Sequence, residues 1–160
     1  KNFLPEKPWG STTTSLMEAT RIPILAVPSY APVKYPRRFL LSTDEGCPEH
    51  LRHLSPLLQL LNTDRTRLLL FHYLQATERA TPDKEYARLL AGLEHRFYYQ
   101  VDDHQPIGNA VVEFTNLVAA DILVVTHRAV HWLGTQATDS VASRVAWTAS
   151  VPVLILQDSF

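Results

Sequence analysis

The sequence predicts an α/β fold: a five-stranded parallel sheet with helices on both faces, doubly wound in the Rossmann-like manner. Three observations predict it. Short unbroken apolar runs, such as residues 68–71 and 122–125, read as strands buried on both faces of a parallel sheet. Between such runs lie stretches whose apolar residues recur at helical spacing. The two kinds of segment alternate along the chain, which calls for right-handed βαβ crossovers.

Residues 1–10 (KNFLPEKPWG) read as loop, with two prolines and mixed charge. Ser11 opens a helical stretch that runs to Pro23, and residues 24–27 follow as a short strand. Residues 29–37 (SYAPVKYPR) are Pro-rich and read as a linker. The first strand of the main sheet is residues 38–43 (RFLLST), ending at the turn Asp44-Glu45-Gly46. Pro48 suits the first turn of a helix, which Leu51, Leu54, Leu57, Leu58 and Leu61 give an apolar stripe. Residues 67–73 are the second strand. A second helix is expected over about residues 83–95, with Tyr86, Leu89, Leu90 and Leu93 facing inward, then a strand at 96–101. Pro106 starts a third helix lined by Ile107, Ala110, Val111, Phe114, Leu117 and Val118. Residues 122–125 are the fourth strand. Asp139 or Ser140 can cap a last helix carrying Val141, Ala142, Val145, Ala146 and Ala149. Pro152 precedes the closing strand, residues 153–156.

One segment occurs twice. STTTSLMEATRIPILAVP, from Ser11, aligns without a gap on SVASRVAWTASVPVLIL, from Ser140. Pro23 falls on Pro152, Leu16 on Val145, Ile22 on Val151, Ile24 on Val153, Leu25 on Leu154 and Val27 on Leu156. The economical reading is a tandem repeat, with residues 1–32 as the tail and linker of one copy and residues 33–160 as the next. The strand at 24–27 must then pair with the edge strand 153–156 or with another chain.

Composition sets bounds on function. Hydrophobic residues make up 46% and charged residues 19%, which suits one globular domain of 160 residues. A net charge of −1 argues against a nucleic-acid or anionic-membrane partner. No apolar run approaches the length of a spanning helix. Cys47 is the single cysteine, so no intramolecular disulfide forms and a cytoplasmic setting is expected.

Residues 120–156 read AADILVV, THRAVHWLGTQATDS, VASRVAWTAS, VPVLIL. A strand, a loop and a helix N-terminus in that order is where α/β proteins hold phosphates. This stretch resembles the closing part of universal stress proteins: a DLIVMG-type strand, a glycine-rich loop, a Gly-Ser pair opening a helix, and a PVLVV-type strand. The resemblance covers residues 38–157 in element order and 11–28 as the tail of a first copy, like the second half of a tandem-domain member. It implies an adenine nucleotide α-hydrolase-like fold and a non-catalytic stress-response or regulatory role. It also implies association through the last strand, at Val151, Val153, Leu154, Ile155 and Leu156, in a homodimer or against a first repeat. By the same resemblance Asp44 stands where an Asp contacts the adenosine end, and His72 where the family often has His.

The nucleotide-binding members carry Gly, two residues, Gly, nine residues, Gly, then Ser or Thr. In register with Ser140, those glycine positions hold Thr126, Ala129 and Asp139. Glycine serves there because backbone amides must approach phosphate closely. Ala129 is tolerable and Thr126 is a poor substitute. Asp139 sets a negative charge where phosphate would meet the helix N-terminus, and Trp132 fills a position commonly small. The expectation is a degenerate nucleotide loop and no required cofactor; an ATP-binding, slowly hydrolysing protein is the alternative. Gly10-Ser11, in the first copy, keeps the Gly-Ser pair.

Other chemistry is thinner. His127 and His131, with Asp102, Asp103 and His104, could be a metal or acid–base set, or plain polar loop residues. His127 and Arg128 could offer cationic contacts to an anion. His50 and His53 read as helix surface or boundary. Cys47 beside Pro48 reads as an unreactive small residue rather than a lowered-pKa thiol. Neither Ser140 nor Ser143 sits in a G-x-S-x-G elbow and no catalytic triad assembles, which disfavours an unrelated small α/β enzyme.

Overall fold

A computed structural model describes residues 11–43, 53–61, 64–74, 84–101, 105–128, 145 and 148–158. In chain order these form α1 (Ser11–Ala19), β1 (Ile24–Ala26), β2 (Arg38–Thr43), α2 (Ser55–Leu60), β3 (Arg67–Leu74), α3 (Lys84–Leu89), β4 (Glu94–Val101), α4 (Ile107–Leu117), β5 (Ile122–Arg128) and β6 (Val153–Asp158). One six-stranded sheet holds all the strands in the order β1-β6-β5-β2-β3-β4. Five run parallel, and β1 adds a sixth, antiparallel to β6. The sheet therefore has one strand more than the five expected, because β1 takes up the open edge of β6.

The continuous apolar strands are buried from both sides, as a parallel sheet demands. Alternate residues feed two separate clusters. Leu40, Leu69, Phe71, Leu123, Val125, Val153 and Ile155 face α1 and α4, meeting Met17, Ala110 and Val111. Phe39, Leu41, Leu68, Leu70, Ile122, Val124, Leu154 and Leu156 face α2 and α3, meeting Leu54, Leu57, Tyr86 and Leu90. Phe114 of α4 stacks on Phe71 with ring centroids 4.5 Å apart.

Some boundaries, and the buried face of α4, depart from the sequence expectation. The second helix stops at Leu89 rather than about His95, because Gly92 takes φ 87° and turns the chain. β4 accordingly starts at Glu94, not Arg96, and Glu94 pairs with Arg67 both in register and as an ion pair of 2.6 Å. On α4 the buried face runs through Gly108, Ala110, Val111 and Thr115. Ile107 and Leu117, expected inside, lie in the end turns and are exposed. Of the last helix, Val145 and Thr148 are helical and the Ala149 amide donates to the Val145 carbonyl at 2.9 Å. The rest of that helix and its cap lie outside the described residues.

At the N-terminal end of the strands Asp121 fastens the linker to the sheet. Its Oδ2 accepts the backbone N–H groups of Arg37 (2.8 Å) and Arg38 (2.9 Å), and Lys34 pairs with Oδ1. This fixes where β2 begins beside β5.

Candidate functional site

The chain winds from β2 to β3 and β4 on one side of β2, then returns to β5 and β6 on the other. The α2 crossover lies on one face, while Val145 and Ala149 of the β5–β6 crossover pack on the opposite face. The crossovers part company between β2 and β5. Beyond the carboxyl ends of two such strands is the place where doubly wound sheets bind ligands.

The residues at that rim are polar. Thr43 of β2, His72 of β3 and Tyr99 of β4 are direct neighbours in register. Two residues past the Leu41–Val124 pair, Thr126 of β5 stands level with Thr43. By strand alternation all four belong to the face that carries Phe39, Leu41, Leu70 and Val124 lower down. The same face is therefore apolar through its depth and polar along its last row. Two helices add to the row from above. The Tyr86 hydroxyl of α3 lies 2.9 Å from Thr43 Oγ1. His53, just before α2, places Nε2 3.2 Å from Thr126 Oγ1. His72 is buried, and its Nδ1 is 2.7 Å from the Thr43 carbonyl. A carbonyl only accepts, so Nδ1 carries the proton. The His72 ring meets Tyr99 edge-on at 6.3 Å, and Tyr99 lies nearly parallel to Phe97.

These six side chains offer hydroxyl, phenol and imidazole groups, with aromatic faces at one end. They can satisfy the polar edge of a heterocycle or a ribose. No lysine or arginine is among them, so the row supplies no fixed positive charge for phosphate.

Of the residues singled out in the sequence, Thr126 and His72 fall within this row. Asp44 follows Thr43 directly but lies outside the described residues, as do Ala129, Asp139, Ser140, Trp132, Cys47, His50, His131, Asp102, Asp103 and His104. His127 is in β5, its side chain outside what is described. Among the described residues, no group of three His, Cys, Asp or Glu side chains is placed to hold a metal. Val153, Leu154, Ile155 and Leu156 are buried between β5 and β1, and Val151 is half-buried. Sequence reasoning missed His53 and Tyr86. His53 looked like helix boundary and Tyr86 like one more apolar stripe position, yet each carries a polar tip on an apolar body.

The strand order and crossovers together define a doubly wound α/β protein whose switch point lies between β2 and β5. No protein-family model matches the chain, and no curated relative matches it. Its solved structural neighbours include universal stress proteins. One, in complex with cAMP, is 23% identical over 79% of this chain and 100% of its own, with a TM-score of 0.60. A universal stress protein from Archaeoglobus fulgidus is 15% identical over 90% of this chain, with a TM-score of 0.69, and the match spans 52% of that longer chain. A universal stress protein family protein from Arabidopsis thaliana with AMP bound is 15% identical over 78% of this chain and 93% of its own, with a TM-score of 0.52. The chain has the fold these proteins share. No helix among the described residues is long and apolar enough to cross a membrane.

Proposed function

We propose that the chain is a universal-stress-protein-like regulatory module without turnover. In this reading it takes adenine nucleosides and monophosphates loosely at the β2–β5 rim and gains nothing from further phosphates. The observation that carries it is the polar row of Thr126, Thr43, His72 and Tyr99, capped by His53 and Tyr86, on an otherwise apolar face. The neighbours that hold cAMP and AMP share this fold, which supports an adenine ligand here. The loop chemistry supports the limit on phosphate. Thr126 stands at the first glycine position of the resembling motif and its hydroxyl is engaged by His53. Asp139 brings negative charge to the last. The same reading has the module working as a pair, with a first repeat or with a second copy, through the β1–β6 region.

Isothermal titration with AMP, cAMP and Mg²⁺–ATP tests the ligand reading. AMP and ATP should bind within about threefold of each other, with Kd near 0.1–1 mM, on the order of −4 to −5.5 kcal/mol. Micromolar ATP binding, tenfold or more tighter than AMP, would establish the ATP-binding alternative and refute the degenerate loop.

A further inference from the structure

We infer that the amino-terminal end of the parallel strands, opposite the polar rim, is a docking surface for a short, extended acidic segment of a partner protein. The inference is separate from the nucleotide reading, which concerns the other end of the sheet.

Charge is segregated on this chain. The connections that enter β2, β3, β4, β5 and β6 include residues 27–37, 64–66, 90–93, 118–121 and 149–152. Those residues and the first three of each strand bring Lys34, Arg37, Arg38, Arg65, Arg67 and Arg96 to this end, against Asp64, Glu94 and Asp121. The end is net +3 in a chain of net −1, so the rest of the chain is net negative. Two of the three acids are already engaged. Asp121 holds Lys34 and the Arg37 and Arg38 amides, and Glu94 holds Arg67. Arg37, Arg38, Arg65 and Arg96 are exposed and form no ion pair among the described residues.

The strand register lines the cations up. Arg38 and Arg67 are direct partners on neighbouring strands, and Arg96 of β4 is the partner of Leu69. By alternation all three lie on the α4 face, below Leu40 and beside Leu69. The Arg67 amide donates to the Arg37 carbonyl at 2.7 Å, which brings the linker into the same row. Like charges set opposite each other weaken strand pairing, so packing gives no reason for Arg38 beside Arg67. The Arg38 guanidinium is held at the surface by its Nη1 bond of 3.0 Å to the Val118 carbonyl, next to Leu117, which is 78% exposed. On the linker Val33 and Tyr35, on either side of Lys34, are fully or almost fully exposed. Bare apolar side chains interleaved with cations call for a ligand that brings both carboxylates and apolar groups.

Charge complementarity selects the occupant. The cations are spread over three strands and a linker, with neighbouring strands about 4.8 Å apart. They do not converge on one point, as a cradle for a single phosphate would. An extended peptide repeats its side chains on one face about every 7 Å, so alternate acidic residues can meet successive guanidinium groups in paired hydrogen bonds. Screening limits such attraction to about 8 Å at physiological salt. A short segment therefore senses only the local excess, whereas a long nucleic acid also meets the net-negative remainder of the chain.

Fluorescence anisotropy of the full chain with a fluorescein-labelled peptide of alternating Glu and Leu or Phe tests this. The peptide should bind with Kd about 10–100 μM at about 50 mM salt and roughly tenfold more weakly at about 300 mM. The combined variant Arg37→Gln, Arg65→Gln, Arg96→Gln should weaken binding about tenfold or more while its Tm stays within about 2 °C. Amide shifts should gather at residues 34–38, 65–67 and 94–96, leave Thr43 and Thr126 still, and be the same with AMP present. No binding at about 1 mM peptide, an unchanged affinity in the folded triple variant, or shifts centred elsewhere would overturn the inference. So would tighter binding of single-stranded oligouridylate, of a phosphotyrosine peptide or of phosphatidylserine vesicles, each of which would make the occupant something other than an acidic segment. None of these readouts depends on the nucleotide titration, so either can fail alone.

Discussion

Asp121 should be the costliest single polar side chain to remove from the described part of the fold. Its side chain is 8% exposed, and Oδ2 accepts two backbone N–H groups at 2.8 and 2.9 Å. Hydrogen bonds to a charged group contribute about 1.5–3 kcal/mol each, and truncation leaves the two amides short of partners. Lys34 adds little, since it is 56% exposed and such pairs contribute under about 1 kcal/mol. Asp121→Ala should therefore cost about 2–4 kcal/mol, a Tm loss of ~6–12 °C for a chain of this size. Lys34→Ala should cost under ~2 °C. The pH dependence follows from the same geometry. Burial pushes the Asp121 carboxyl up, but bonds from Lys34 and from the Arg37 and Arg38 amides outweigh it and hold it below 3.8. A lowered folded pKa stabilises above the unfolded value. The contribution is therefore complete above about pH 4 and is lost as the pH falls through the folded value. Thermal unfolding by circular dichroism between pH 2.5 and 7 reads both effects. Asp121→Ala should lower Tm at pH 7 and flatten the acid limb. A loss under 2 °C at pH 7, or an unchanged acid limb, would refute the role given to this carboxylate.

Three further outcomes are expected. Ala119 closes α4 with φ 48°, a left-handed conformation that costs an L-residue about 1 kcal/mol, so Ala119→Gly should raise Tm by ~1–3 °C in the same melt. Tyr86→Phe deletes the hydroxyl bonded to Thr43 and keeps the ring packed against Phe97; denaturant titration should show a loss of about 0.5–1.5 kcal/mol with an unchanged slope. Asp139→Gly removes the charge at the expected helix N-terminus, so calorimetry should show ATP affinity rising about threefold to tenfold while AMP changes less. An unchanged ATP affinity would shift the obstacle to Thr126 or Trp132.

Much of this fold is written in short apolar runs. RLLLF and ILVV are short apolar runs that read as doubly buried strands, and their alternation with amphipathic stretches carries the layer order. The pairing of the short N-terminal strand with the 153–156 edge strand was legible too, and the register sets Leu25 beside Leu154. What escaped has physical causes. Leu93 continues the helical stripe of Tyr86, Leu89 and Leu90 in sequence, and only the positive φ of Gly92 decides that the chain turns first. β4 is an edge strand of the sheet and tolerates Glu, Arg and Gln that a central strand would not, so its start is blurred. His53 and Tyr86 were hidden because one helical position serves both the apolar layer and the rim. Which end of such a side chain matters depends on depth in the sheet, which periodicity does not encode.

The most direct test of the ligand crevice is a nuclear magnetic resonance titration of the labelled chain with AMP. The account predicts that amides near the ends of β2, β3 and β5 shift together, at Ser42, Thr43, His72, Val125 and Thr126, while β1 stays still. Shifts confined to other elements, or none at 10 mM AMP, on the order of ten times the expected Kd, would contradict it.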